Sequence, residues 1–563
     1  MPVLTGFHCP GMHAIDASRT ARPREEFGQY CYLFQALAEQ EARSVPQGCQ
    51  NGKEYLERLD TLRNTMETLG SNRSDGPSNI PAAYTYFGQF LNHDMSAPVN
   101  TPAAGSGQPG IINSNPDLIA LMKPDRTGDP AALLDRMRNE HPIPMILDSL
   151  YGGGPQSEIS TSHYVPGTAM FVLAETYDDP DPEMVIKKEM INFNGKSRAD
   201  LPRNGKAALI ADRRNDENLV LSQLHLAFML FHNQVVVHLH GKDPALGSGE
   251  LFVKARKLVT RHYQWCILHD YLDRGELPAR RGFKGIAPGS IASFKGLIKE
   301  KYRIPLEFTT AAYRFGHAMV SATYDYNEAF SGGPERPPAD LTQLFSFTSQ
   351  NGMNGQVRPG GATPQVPTHW IIDWNKFVSD PPKGTAAEQI NPLITAGMFI
   401  LMREILDVKL AEDLNSICKL NLLRGYHRFI PSGQALAKEL NLVPMTPDEI
   451  RSCFPDVKTI PTGTMETFQK LLTDDKFGGE MPAWAYFLCE ARFYKGGNAL
   501  GPVAGTIVGE TIIGLLKQNP DSVLNTAWKP DDPDAIRTAN GKPVDSLRRI
   551  LEFAGAVACE ENA

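Results

Sequence analysis

Gln89 and His93 lie four residues apart in the stretch Tyr84–Asp94, YTYFGQFLNHD. On a helix they share one face, one turn apart. Tyr86, Phe87, Phe90 and Leu91 around them are apolar, which turns that face toward an interior. A histidine beside an amide in a dry place can move one proton while the amide positions a small ligand or water. The commoner reading is a buried histidine satisfied by its neighbour. A second polar group runs from Asp212 to Glu217, directly before the most apolar stretch of the chain. It reads as a solvated helix start, its acids favouring the dipole. Alternatively, Arg214 and Glu217, three apart, face one pocket together. In AAYRFGHAMVSATY, His317 sits on an apolar face with Arg314 one turn before it. It is either a core histidine or an axial metal ligand whose other nitrogen needs a partner. KLNLLRGYHRFIPSGQALA offers Asn421 for that role, followed by Arg424 and Arg428.

The elements that must hold these groups are mainly helical. Helical patterns fall at Tyr30–Ala42, Glu54–Leu69, Ala131–Arg138, Leu251–Leu272, Ala311–Thr323, Leu393–Leu410, Gly433–Leu440, Trp484–Tyr494 and Pro502–Lys517. Leu219–His240 is apolar nearly all round, the mark of a buried central helix. Residues 98–116 and 331–368, rich in Gly and Pro, read as loops, and SNRSDGPSNIPAA as a linker. Gly501, Gly505 and Gly509 recur every four residues and predict a close approach on that face. No repeat and almost no alternating strand pattern is present. The expected fold is mainly α with long ordered loops and little β.

Composition narrows the function. The 563 residues are 41% hydrophobic and 21% charged, ordinary for a globular chain. The net charge of -8 is not gathered into long runs, so nucleic acid is not an expected partner. No window of about 18 uncharged apolar residues predicts a transmembrane helix. No signal peptide is recognised at the amino terminus, so a cytoplasmic location is the default expectation. The eight cysteines are scattered without CxxC spacing, which fits a reduced compartment and argues against a zinc site.

Taken together, the four segments resemble the animal-type haem peroxidases, the peroxidase–cyclooxygenase superfamily that includes myeloperoxidase and lactoperoxidase. FGQFLNHD is similar to the family's WGQxxDHD, and ADRRNDENLVLSQLHLAFMLFHNQ to its GDxRxxExPxLxxxHxLxxREHN. YRFGH resembles FRYGH, and LNLLRGYHRFIPSGQ resembles LNxxRGRDHGLPxY. The order holds from Pro81 to Trp528, and the tail looks most like bacterial members. The resemblance implies one haem peroxidase domain over 79–530, with the haem between central helices. An N-terminal extension and linker would occupy 1–78, and a tail with a short helix 531–563.

Residue by residue, it implies that His93 is the distal base, Gln89 its ligand-positioning neighbour and Arg214 the distal arginine. His317 would ligate the iron of haem b, Asn421 would accept from its imidazole, and Arg314 would pair with a propionate beside Arg424. Glu217 stands where the family esterifies a haem methyl. Asn92 replaces the second ester-forming aspartate, and Asn218 a methionine that bonds the haem in myeloperoxidase. At most one covalent link, through Glu217, is therefore expected. A calcium ion is expected at Asp94 and Asp148 with backbone carbonyls, although Ile146 replaces an aspartate of the family's loop. The implied activity is reduction of H2O2 through a ferryl state, with oxidation of iodide, bromide, thiocyanate or phenols. The alternatives are a fatty-acid dioxygenase of the same superfamily and a haem-binding protein without turnover. The dioxygenases carry a radical-bearing tyrosine three residues before the proximal histidine, where this chain has Arg314.

Overall fold

The computed structural model describes residues 27–43, 49–71, 75–100, 123–126, 128–158, 160–178, 198–205, 207–275, 283–331, 336–348, 365–395, 416–455, 470–472, 477 and 479–558. Helices dominate them: α1 (Gln35–Arg43), α2 (Gly52–Ser71), α3 (Ala83–Met95), α4 (Leu219–Lys242), α5 (Ser248–Cys266), α6 (Ile417–His427), α7 (Ala483–Lys495) and α8 (Pro502–Gln518), with shorter turns between. The strands are two to five residues long and form six two-stranded ladders among the described residues. The fold is mainly α with little β, as the sequence leads one to expect.

α4 is the axis. Its residues from Leu219 to Asn233 are all buried, because apolar side chains go all round it. By length and composition it is apolar enough to cross a membrane, yet it lies in the protein core. It packs against α5 and against α3. On α3, Phe90 stacks on Phe228 of α4 at 4.8 Å, and Phe87 on the same ring at 6.4 Å. Burying each such ring is worth about 1.5–3 kcal/mol.

Polar ties fix α3 along its length. The Tyr84 hydroxyl donates to Asp270 at 2.7 Å, in the π-turn Ile267–Leu272 that ends α5. The Tyr86 hydroxyl donates to that of Tyr324 at 2.6 Å. Gly88 lets the Tyr271 ring close in: a Cβ there would stand 2.4 Å from the hydroxyl oxygen.

Several expectations are refined. The helix expected at Glu54–Leu69, within the stretch read as an N-terminal extension, is α2, whose buried stripe of Tyr55, Leu59, Leu62, Met66 and Leu69 packs against α6. Most of its charges lie off that stripe, Arg58 being buried with it and paired to Glu54. The helix expected over Ala311–Thr323 is a 3-10 turn, Ala312–Met319. The linker contains a strand, Pro77–Pro81, paired with Ala386–Glu388. A Cβ on Gly501 or Gly509 would run into Glu490 or Ser290, whereas one on Gly505 would make only ordinary contacts with Ala287 and Leu500 at 3.8 Å. Most of the helix expected at Leu393–Leu410, and most of the 98–116 loop, lie outside the described residues.

Candidate functional site

The distal half is built where α3 meets the entry to α4. His93 is fully buried on α3. Its Nδ1 lies 2.8 Å from Asn215 Oδ1. Among the described residues its Nε2 has no hydrogen-bond partner, and it lies 3.8 Å from the Glu217 carboxylate. Burial first, and the positive charge of Arg214 second, hold this imidazole down at about 3, so it is neutral at ordinary pH. Burial pushes Glu217 well above the usual carboxylate range. Gln89 bridges the two elements: its Nε2 donates to Glu217 Oε1, and its Oε1 accepts from Asn218 at 3.1 Å. Glu217 Oε2 has no partner among the described residues.

The polar run before α4 is not a solvated cap. Arg214, Asn215, Asp216, Glu217 and Asn218 are buried, because α4 starts inside the protein and its cap is inside with it. Asp212 caps the 3-10 turn Arg213–Asp216 by accepting from Arg214 N. It also takes the Arg214 guanidinium, Nη2 to Oδ2 at 2.7 Å. Arg214 Nη2 donates to His93 O at 2.9 Å and Nη1 to Ser96 O at 2.8 Å. Arg214 is thus a fixed positive charge that clamps the last turn of α3. Arg203 anchors the turn from outside through a paired contact with Asp216, 2.5 and 2.8 Å. Asn92 is half-buried beside His93.

The proximal half lies on the 3-10 turn, which packs against α3. His317 is half-buried, and its Nδ1 lies 2.8 Å from the Asn421 side-chain amide of α6. Which end of that amide faces the ring is a matter of assignment. For Nε2 to ligate a metal, Nδ1 must carry the proton and face Oδ1. The amide nitrogen of Asn421 is the atom that faces the ring, and its buried Oδ1 has no partner among the described residues, so turning the amide over brings Oδ1 to Nδ1 without breaking another hydrogen bond. Burial, then Arg314 and Arg424, hold His317 well below the ordinary histidine value. Arg314 Nε donates to Thr309 O at 3.0 Å, and Trp484 Nε1 donates to Arg314 O at 3.1 Å. Arg424 is almost fully buried one turn after Asn421.

These residues fit a haem. Two neutral histidines, on elements in contact, each give Nδ1 to an amide and leave Nε2 for chemistry. Arg314 and Arg424 lie close enough to His317 to lower its pKa, and a guanidinium can pair a carboxylate through two parallel hydrogen bonds. The calcium expectation fits poorly. Asp94 Oδ2 accepts from Leu147 N at 3.0 Å, and Oδ1 from Ser149 N and Oγ at 3.3 and 3.2 Å. Asp148 is paired elsewhere, with Arg256 at 2.9 Å. Among the described residues no three His, Cys, Asp or Glu side chains converge as a metal group would require. The pairing with Arg256, far along the chain, was not visible from the loop.

Sequence reasoning passed over Asn215, Asp212 and His225. Asn215 Nδ2 lies 3.0 Å from His225 Nδ1 on α4. The usable signal was a polar run abutting a helix apolar from its first residue, which forces the run indoors.

Residues 178–359 match the family model described as animal haem peroxidase. That segment holds Arg214, Glu217 and His317; His93 and Asn421 lie outside it. The chain is 33% identical over 299 residues to "Peroxidase mlt-7" of Caenorhabditis elegans, covering 52% of this chain and 33% of that protein. It is 24% identical over 384 residues to human "Thyroid peroxidase", covering 61% of this chain and 38% of that one. The chain therefore spans little more than a third of the length of these relatives. Its fold is similar to that of the fatty acid alpha-dioxygenase of Oryza sativa, with a TM-score of 0.50 at 13% identity over 90% of this chain and 77% of that one.

Proposed function

We propose, from the match of residues 178–359 to the model described as animal haem peroxidase, that the chain is a member of that family, reduces H2O2 and oxidises small donors. The observation that carries the reading is His93: buried, neutral, Nδ1 engaged and Nε2 free, on an element touching the one that presents His317. His317 Nε2 would ligate the iron of a haem b, with Asn421 accepting at Nδ1, and Arg314 and Arg424 would pair with propionates. Bound haem would supply the two electrons that cleavage of the O–O bond consumes, and would recover them from the donor. His93 Nε2 takes the proton from one peroxide oxygen and returns it to the other, so that water leaves. Glu217 borders the same nitrogen, and Gln89, which donates to Glu217, orients the peroxide with it. Arg214 offsets the negative charge that develops on the departing oxygen through its fixed positive charge.

One covalent link is proposed, an ester through Glu217, whose Oε2 is unengaged. The Asn92 amide cannot form one. Asn218 offers no sulfur, and its side chain already caps α4 and bonds Gln89. Iodide, bromide, thiocyanate or phenols are the proposed donors. Calcium is left out of the proposal, because Asp94 and Asp148 are committed to separate partners. The test is oxidation of iodide or guaiacol by the haem-loaded protein with H2O2. Turnover that His93→Ala largely removes supports the reading, and haem-loaded wild type without turnover contradicts it.

The dioxygenase reading has the rice fold behind it, but a fold at that identity speaks only to architecture. Arg314 stands three residues before His317, and the Tyr313 hydroxyl is directed to Tyr271 at 3.1 Å, its ring stacked on Phe308 at 4.6 Å. Oxygen-electrode traces with linoleate separate the two, and little or no uptake is expected.

A further inference from the structure

We infer that Asn215 and His225 form a positioning pair that sets the tautomer of His93; the inference rests on the peroxidase reading for what His93 then does. The three side chains form a buried line. His93 Nδ1 lies 2.8 Å from Asn215 Oδ1, and Asn215 Nδ2 lies 3.0 Å from His225 Nδ1. Their exposures are 0%, 0% and 1%. No water is needed to complete the line, and each residue sits on a different element: α3, the 3-10 turn and α4.

The amide makes the line directional. An amide has one donating and one accepting end. With Oδ1 toward His93, that ring must carry its proton on Nδ1, which leaves Nε2 bare and able to take a proton. Nδ2 then donates to His225 Nδ1, so His225 carries its own proton on Nε2. Turning the amide over reverses everything: Nδ2 would donate to His93, push its proton to Nε2 and remove the base. His225 therefore chooses the working orientation by accepting at Nδ1. Its ring is held edge-on against Phe90 at 6.0 Å, so it cannot easily turn. Asn215 touches neither peroxide nor haem in this scheme, and acts only through His93.

The experiment uses cyanide, because HCN, like H2O2, must give up a proton to a distal base as it binds. Association with the haem-loaded protein is followed at the Soret band. Asn215→Leu keeps the shape and removes the acceptor. It is expected to slow association by about 10- to 100-fold, the cost typical of removing the partner that orients a working imidazole. Asn215→Asp presents an oxygen at either end and is expected to restore a rate near wild type. His225→Phe keeps the ring packing and removes the acceptor for the amide. It is expected to slow association in the wild-type background but much less in the Asn215→Asp background, where no orientation is left to fix. Equal rates for Asn215→Leu and Asn215→Asp, or equal effects of His225→Phe in both backgrounds, overturn the inference. If Asn215→Leu fails to fold, the His225→Phe comparison decides alone. Normal cyanide binding by a wild type that lacks peroxide turnover would fail the peroxidase reading while leaving this test readable.

Discussion

His93 concentrates the chemistry because burial keeps its imidazole neutral while Asn215 keeps its proton on the inner nitrogen. An imidazole held down at about 3 is deprotonated, and so competent as a base, throughout ordinary working pH. The rate of reaction with H2O2 is therefore expected to stay flat from about pH 5 to pH 8, well above that pKa. A rate that rises through an apparent pKa near the free-histidine value of about 6.5 would mean that His93 is solvated. Arg214 is bound differently from a free pocket arginine. Its bonds to Asp212, His93 O and Ser96 O make it part of the end of α3. Asp212→Ala is thus expected to damage both charge placement and the helix end. Losing one partner of a buried pair costs about 3–5 kcal/mol. A urea-unfolding midpoint unchanged from wild type would contradict it.

At the scale of elements, α3 is placed by what it cannot avoid touching. The contact between Gly88 and Tyr271 leaves no room for a methyl group. Gly88→Ala is expected to cost about 1–3 kcal/mol by overpacking, measured by chemical denaturation; an unchanged stability would show that the ring has space to retreat. The loop after Met145 is held by Asp94, with Leu147 in the left-handed region at φ 61°. The donors to that carboxylate are protein groups, Leu147 N on Oδ2 and Ser149 N and Oγ on Oδ1. Dialysis against a calcium chelator is accordingly expected to leave the melting temperature unchanged, and a drop of several degrees reversed by calcium would contradict this. Much of this scale was legible in the sequence. The apolar girth of Leu219–Lys242 announced a central helix, and the Gln89–His93 spacing announced a shared face. What was not legible depends on distant partners. Asp148 reads as a free carboxylate until Arg256 is placed beside it, and Asn215 reads as a surface residue until α4 is seen to start inside. The 3-10 form of the His317 turn also escapes periodicity, because eight residues hold too few turns to separate the two helix types.

Across the whole molecule, buried titratable groups of two kinds set opposite limits on stability. His93 and His225 are held down at about 3, and His232 and His262 at about 4, all by burial. Their unfolded values are about 6.5. The unfolded chain therefore binds more protons between those limits, and stability is lost as pH falls from about 6.5 toward 3. Glu307 and Glu490 go the other way, raised by burial to about 7 and about 8. The folded chain binds more protons above the unfolded carboxylate value of about 4.3. Stability is lost as pH rises from there to about 8. The melting temperature is expected to peak between about pH 4.5 and 6.5, where the two windows overlap, and a maximum above pH 8 would contradict the assignment.

The most direct measurement of the central claim is stopped-flow mixing of the haem-loaded protein with H2O2, followed at the Soret band, for wild type and His93→Ala. General acid–base groups contribute about 100- to 10,000-fold. The account predicts a fast second-order change in wild type and a rate constant lower by a factor in that range in the variant, with haem content unchanged. Equal rate constants for the two proteins would contradict it.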